Sequence, residues 1–112
     1  MTVNVYELYY SAEAKFNGVP RNGALVMLIA DSDAGNIKYE AAVSFFPHRD
    51  EEDYSISYDA YFSKVLYEAK GRRSKKREEA LLANFQNEID ELAETIGGKV
   101  LWDQPLREER RG

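Results

Sequence analysis

Apolar and polar residues alternate along the first half of the chain, which is the pattern of β-strands. Residues 24–30 are apolar on both faces, as in a covered central strand, and residues 37–45 alternate again before Pro47. Two Asn-Gly pairs and residues 31–36 supply turns. The first strand divides between two faces: Tyr6, Leu8, Tyr10 and Ala12 on one, and Val3, Val5, Glu7 and Tyr9 on the other. We therefore predict a three-stranded antiparallel meander.

The spacing of apolar residues changes to a helical one in the second half. We predict a first helix from Tyr58 to Lys70, with Ser57 as its N-cap and Gly71 as the glycine that ends it. A strand is the alternative, because Tyr54, Ile56 and Tyr58 alternate. The helical stripe consists of Tyr58, Tyr61, Phe62, Val65, Leu66 and Ala69.

A second helix follows, with Ser74 as its N-cap and Gly97-Gly98 at its end. Its apolar positions are Leu81, Leu82, Phe85, Ile89, Leu92 and Ile96. Residues 99–102 are predicted to return as a short edge strand. The predicted fold is thus α+β, a meander with this C-terminal edge strand and with two helices packed on one face. Residues 1–104 form one domain in this prediction, and residues 105–112 form a charged, flexible tail.

Composition narrows the class of protein. The chain has 112 residues and a net charge of −5, with 15 basic and 20 acidic side chains, which fits one globular domain. It contains no cysteine, and this excludes disulfides, thiolate nucleophiles and cysteine-ligated zinc. The longest apolar run, residues 24–30, is far shorter than the roughly 20 residues of a membrane helix. With no leader-like N-terminus, these features predict a cytoplasmic protein that does not bind membranes.

Six cations lie close together in the run from Lys70 to Arg77, and without them the chain would carry −11. They fall at the start of the predicted second helix, where the helix dipole already favours negative charge. A bound anion would offset this arrangement. The alternatives are a solvated basic turn and a site for nucleic acid or for an acidic protein surface. The candidate binding residues are Arg72, Arg73, Lys75, Lys76 and Arg77.

Two further features are candidate binding surfaces. An acidic run follows the third strand and is either a hydrated loop or a patch that engages a basic surface. It consists of Asp50, Glu51, Glu52 and Asp53. The sheet face that the helices leave uncovered is predicted to expose Val5 and Tyr9, together with Val3 and half of residues 24–30. Such a face is typical of an interface with a partner protein or with a second copy in a homodimer.

Catalytic and cofactor signatures are missing from the chain. His48 is the only histidine, so it would have to serve any triad or metal site alone. The stretch Asp31-x-Asp33-x-Gly35 has its glycine one position too early for a calcium loop, and Ala42 replaces the final glutamate. No glycine-rich phosphate loop is present. We therefore expect no metal and no cofactor.

The order of a long strand, a meander and a following helix resembles the first half of the ribonuclease H-like fold over residues 1–70. The resemblance implies a divalent metal held by carboxylates at places comparable to Glu7 and Asp59. The family's next strand, with its further carboxylate, has no counterpart, because the chain passes directly into the basic run.

These observations favour a small, acidic, non-enzymatic protein-binding module. Its composition is similar to that of small phage-type inhibitor proteins, which are often acidic and compact. The alternatives are a nucleic-acid-binding protein that uses the basic run, and a degenerate ribonuclease H-like nuclease.

Overall fold

The computed structural model describes residues 1–47 and 60–106. Predictions that concern Ser57, His48, Asp59, the acidic run 50–53 and the end of the tail lie outside these residues. The elements, in chain order, are β1 (Thr2–Phe16), β2 (Val19–Asp33), β3 (Asn36–Phe46), β4 (Tyr61–Lys70), α1 (Lys75–Ala83), α2 (Phe85–Glu94) and β5 (Lys99–Pro105).

The five strands form one antiparallel sheet in the order β4-β3-β2-β1-β5. The predicted α+β class and the meander are confirmed, and so is the C-terminal edge strand, since β5 pairs with β1. Two tight turns connect the long strands. Asn17 and Gly18 have φ values of 53° and 76°, and Ala34 and Gly35 have 54° and 81°. Two successive residues with positive φ suit the twist of a hairpin, which explains the Asn-Gly pair at the first turn.

The predicted helix ending at Lys70 is wrong where the structure describes it, because Tyr61–Lys70 is strand β4 and pairs with β3. Apolar residues on both faces of this strand explain the error. Phe62 and Leu66 pack against the main core, while Tyr61 and Val65 are exposed on the other face. Val65 and Tyr67 face consecutive residues of β3, so Leu66 is an extra residue, and this bulge brings Tyr67 onto the same face as Leu66. The two faces together give the apolar residues of the strand a helix-like spacing.

The main core lies between the sheet and the helices, on what we call the inner face. Phe85, Ile89 and Ala93 of α2 pack there against residues from all five strands or their ends. Both helices contribute to this side, as predicted, since Leu81 and Leu82 of α1 also contact the main core. The single helix predicted after Ser74 is instead two helices that meet at Asn84, whose φ of −115° and ψ of 12° interrupt the first one.

A second bulge changes the face of two N-terminal residues. Asn4 pairs with Ile29 and Tyr6 with Leu28, so Val5 is an extra residue in β1. Val5 packs against inner-face clusters, and Val3 lies opposite Ala30, which belongs to one of them. The prediction that Val3 and Val5 lie on the uncovered face is therefore wrong, because the bulge shifts the alternation of the strand by one residue.

Gly23 offers a test of packing within the sheet. It pairs with Phe46, and a Cβ at residue 23 would lie 2.5 Å from an atom of the Phe46 ring. We expect Gly23→Ala to lower the free energy of unfolding by about 1–3 kcal/mol, because the ring has to move. Urea unfolding checks this value.

A double-mutant cycle with Phe46→Leu provides the control. The smaller side chain relieves the close contact, so Gly23→Ala should cost less in the Phe46→Leu background than in the wild-type protein. Equal costs in both backgrounds would contradict this explanation.

Candidate binding surfaces

Residues 70–77, which we call the basic corner, connect β4 to α1 by a backbone that is held at several points. Gly71 has a φ of 124°, and its N–H donates to the carbonyl oxygen of Gly35 at 2.8 Å. The Ser74 N–H donates to the Tyr39 hydroxyl at 3.2 Å. Ser74 is the N-cap that the sequence predicts, since its side chain accepts from the Arg77 N–H at 3.2 Å. The corner is therefore anchored to the sheet and to its own helix.

A buried carboxylate binds one of the predicted cations. Glu78 is 8% exposed and accepts from the Tyr39 hydroxyl at 2.8 Å. The Arg73 guanidinium donates to both of its oxygens, through Nε at 2.7 Å and Nη2 at 3.0 Å. The hydrogen bonds from Arg73, assisted by the one from Tyr39, lower the pKa of Glu78 although burial opposes this. Arg73 therefore stabilises the corner from within.

Arg77 is also engaged inside the protein. Its guanidinium carbon lies 4.1 Å from the centre of the Tyr67 ring, within the range of a cation–π contact. Four cations of the corner are exposed and form no ion pair with any described residue: Lys70, Arg72, Lys75 and Lys76. Of the five predicted binding residues in this run, the structure thus presents Arg72, Lys75 and Lys76 outward, without such a contact.

The division into two helices changes the expected charge pattern at the helix ends. Glu78 lies in the first turn of α1 and Glu88 in the first turn of α2, where the helix dipole favours carboxylates. Glu88 also forms an ion pair with Lys64 of β4 at 2.6 Å. The predicted conflict between charges and dipole therefore remains at the start of α1, where Lys75, Lys76 and Arg77 precede Glu78, while α2 begins with a carboxylate in its first turn.

The sheet side away from the helices, which we call the outer face, carries its own apolar cluster. The described residues of this cluster are Leu25, Met27, Ala42 and Phe46, with Tyr9, Ile29 and Leu106 against them. Leu25 and Met27 are only 4% and 7% exposed, so the prediction that this strand lies open to water is wrong. Exposed apolar side chains occur instead at edge strand β4, where Tyr61 and Val65 are 38% and 50% exposed.

Packing around Tyr9 explains part of the burial of Leu25 and Met27. The Tyr9 ring meets the Phe46 ring edge to face, with 5.9 Å between their centres. The Leu106 N–H donates to the Tyr9 carbonyl oxygen at 2.9 Å, which brings Leu106 onto the same cluster. Tyr9 lies on the outer face, as predicted, and is half-buried there.

A groove of about 390 Å³ crosses the outer face beside this cluster. No pattern in the sequence predicts this groove, because its residues come from strands that are separated along the chain. Alternation in β1 and β2 places each residue on a face, but only the register of the sheet brings the strands together. The groove is lined by Asn4, Glu7, Leu25, Met27, Ile29 and Tyr61.

The described residues contain no group of side chains that could bind a metal ion. Within residues 1–47 and 60–106, no three His, Cys, Asp or Glu side chains are grouped so that they could hold a metal ion. Glu7 lies on the outer face and accepts from the Asn4 amide at 3.0 Å. The resemblance to the ribonuclease H-like fold requires a helix after the meander, and the structure has strand β4 at residues 61–70 instead.

Comparison of the chain with protein-family models, with curated proteins and with solved structures gave no match. Neither helix in the described part of the chain is long and apolar enough to cross a membrane.

The pKa of Glu78 leads to a pH prediction. Because the folded protein lowers this pKa below the usual value of 4.5, ionised Glu78 stabilises the fold above that value. This stabilisation is lost as the pH falls below 4.5 and through the folded-state pKa. We expect Glu78→Gln to cost most stability at pH 7 and progressively less towards pH 3, as measured by urea unfolding. The exposed neighbour supplies the control, since Glu79→Gln should show a much smaller and flatter effect.

Tyr39→Phe tests the hydrogen bonds that connect β3 to Glu78 and Ser74. It removes the hydroxyl that donates to Glu78 and accepts from Ser74, leaving two buried or partly buried groups without this partner. We expect a loss of about 1–3 kcal/mol in the free energy of unfolding. Combined with Glu78→Gln, the two losses should be less than additive, whereas full additivity would show that the contacts are independent.

Proposed function

We propose that the protein is a non-enzymatic binding module that holds an acidic surface of another protein through its basic corner. The observation that carries this proposal is the presence of four exposed cations without a described ion-pair partner, in a chain of net charge −5. Their charges add to one another over a short segment, while the remainder of the chain is strongly acidic. An acidic partner would thus be attracted to one place and repelled elsewhere.

The rigidity of the corner supports a binding role over a solvated turn. Hydrogen bonds hold Gly71 to the turn between β2 and β3 and Ser74 to Tyr39 of β3. Arg73 and Arg77 add internal contacts with Glu78 and with the Tyr67 ring. A partner therefore does not need to order this backbone when it binds. A preorganised surface loses less conformational entropy on association than a mobile one.

The start of α1 adds hydrogen-bond donors to the positive charge. Ser74 caps the Arg77 N–H, and the Glu78 N–H donates to the Ser74 carbonyl oxygen. The N–H groups of Lys75 and Lys76 precede these bonds in the first turn, where helix N–H groups have no intrahelical partner. Carboxylates are favoured at such a position both by these donors and by the helix dipole.

The charge distribution favours a protein over a nucleic acid. Domains that bind DNA strongly neutralise about 6–10 phosphates, and the corner offers four exposed cations. A long polyanion would extend from the corner onto surfaces where acidic residues dominate. An acidic patch on a folded protein is more compact and meets the corner alone.

Fluorescence anisotropy with defined probes tests the proposal. The probes are a labelled ten-residue peptide of alternating Glu and Gly, and single- and double-stranded oligonucleotides of DNA and RNA, each at low and near-physiological salt. We expect the peptide to bind, and Lys75→Gln/Lys76→Gln to weaken it about 2- to 30-fold, since an exposed ion pair contributes about 0.2–1 kcal/mol. Arg72→Gln should weaken it further.

A matched variant controls for net charge. Lys15→Gln/Lys99→Gln removes two exposed lysines outside the corner and should leave peptide binding nearly unchanged. Equal losses in both variants would contradict a localised site. Tighter binding to an oligonucleotide than to the peptide would overturn the choice of a protein partner. A solution mass near twice 12.9 kDa that the Lys75→Gln/Lys76→Gln variant lowers would show that the partner is a second copy.

A further inference from the structure

Cross-strand pairing places polar residues of β1 beside apolar residues of β2 on the outer face. Glu7 of β1 pairs with Met27 of β2, and Tyr9 pairs with Leu25 at the next outward-facing position of the same two strands. Asn4 pairs with Ile29 on the other side of Glu7. A carboxylate and an amide from β1 therefore border an apolar strip from β2.

The groove lies along this border. Leu25, Met27 and Ile29 supply an apolar floor, and Tyr61 of β4 lines it from the other side of β3. Between them β3 presents small residues, since Ser44 pairs with Leu25 and Ala42 with Met27. The volume of about 390 Å³ is within the range of sites that hold small ligands, roughly 300–1,000 Å³.

Glu7 gives the groove a charged end. Its carboxylate accepts from the Asn4 amide at 3.0 Å, and it forms no ion pair with any residue that the structure describes. The Asn4 hydrogen bond leaves further acceptor capacity on the carboxylate, because each of its two oxygens can accept more than one bond. A donor that enters the groove can thus reach an ionised acceptor.

Carboxylates outnumber cations among the described charges around the groove, since the ammonium group of Met1 and the side chain of Lys38 are each paired with one of them. Asp31, Glu40 and Glu68 lie on this side of the sheet, in the register of Lys38 and Ile29. Lys38 is held by Glu40 at 3.2 Å, and the Met1 ammonium lies 3.8 Å from the Asp31 carboxylate. A positively charged group is therefore attracted to this face, and an anion is repelled from it.

We propose that the groove binds a lysine or arginine side chain presented by a partner polypeptide. The methylene stem lies along the half-buried Ile29 and the small exposed parts of Leu25 and Met27, and the cationic head reaches Glu7. Lysine and arginine side chains each combine an apolar stem with a charged end, and the groove combines apolar residues with a carboxylate. A wholly apolar side chain would cover Glu7 without supplying a donor, which costs free energy.

This site is independent of the basic corner, which has the opposite charge and lies at the junction of β4 and α1. Failure of one proposal therefore leaves the other standing. The basic corner would contact an acidic region of a partner, and the groove would contact a basic side chain.

The two methionines make a direct test possible. In protein labelled with ¹³C at the methionine methyl groups, Met27 reports on the groove, and Met1, which is 84% exposed, is an internal control. The probe is Ac-Ala-Arg-Ala-NH₂, with citrulline or leucine replacing arginine in two comparison peptides. We expect the arginine peptide to shift the Met27 resonance and not the Met1 resonance, and the comparison peptides to bind more weakly.

A charge variant at Glu7 completes the test. Glu7→Gln should weaken the arginine peptide about two- to fivefold, the range of an exposed ion pair, and Glu13→Gln on the same strand should not. An unshifted Met27 resonance would overturn the proposal. Equal binding of the leucine peptide, or no effect of Glu7→Gln, would overturn the cationic ligand. A Met27 shift that depends on protein concentration alone would show a second copy in the groove and overturn it too.

Discussion

The buried carboxylate of Glu78 connects three parts of the chain that are distant in sequence. It accepts from Tyr39 in β3 and from Arg73 before α1, and it belongs to α1 itself. Removing a charge from water is costly, so this contact persists only because Arg73 and Tyr39 supply donors. It determines where α1 begins relative to the sheet. The position of the basic corner, and thus the direction in which Arg72, Lys75 and Lys76 point, depends on it.

This arrangement separates structural cations from exposed ones within a single run. Arg73 and Arg77 are next to residues of the same charge, yet they face the protein and bind Glu78 and the Tyr67 ring. Their contacts offset part of the repulsion that six neighbouring cations would otherwise cause. The remaining cations are displayed on a backbone that is already ordered. A single basic run therefore contains cations that stabilise the fold and cations that remain exposed, and only the contacts of each side chain distinguish them.

A bulge in β1 and an edge strand with two apolar faces account for the main errors in the sequence-based prediction. At Val5 one extra residue shifts the alternation, so that this side chain reaches the core from a position that a regular strand would turn outward. At residues 61–70 apolar side chains lie on both faces of the strand, and their positions have the spacing of a helix. Periodicity identifies the element only when the backbone is regular and the apolar residues lie on one face.

Local chemistry was readable from the sequence, and long-range contacts were not. The tight Asn-Gly turn, the Ser74 cap, the three meander strands and the apolar stripe of α2 follow from preferences of a few adjacent residues. The sequence also located the basic run. It did not show that Arg73 binds Glu78 beside Tyr39, or that Glu7 and Tyr61 line one groove. Those relations depend on strand order and register, which result from burying the whole sheet at once and have no signature within any short segment.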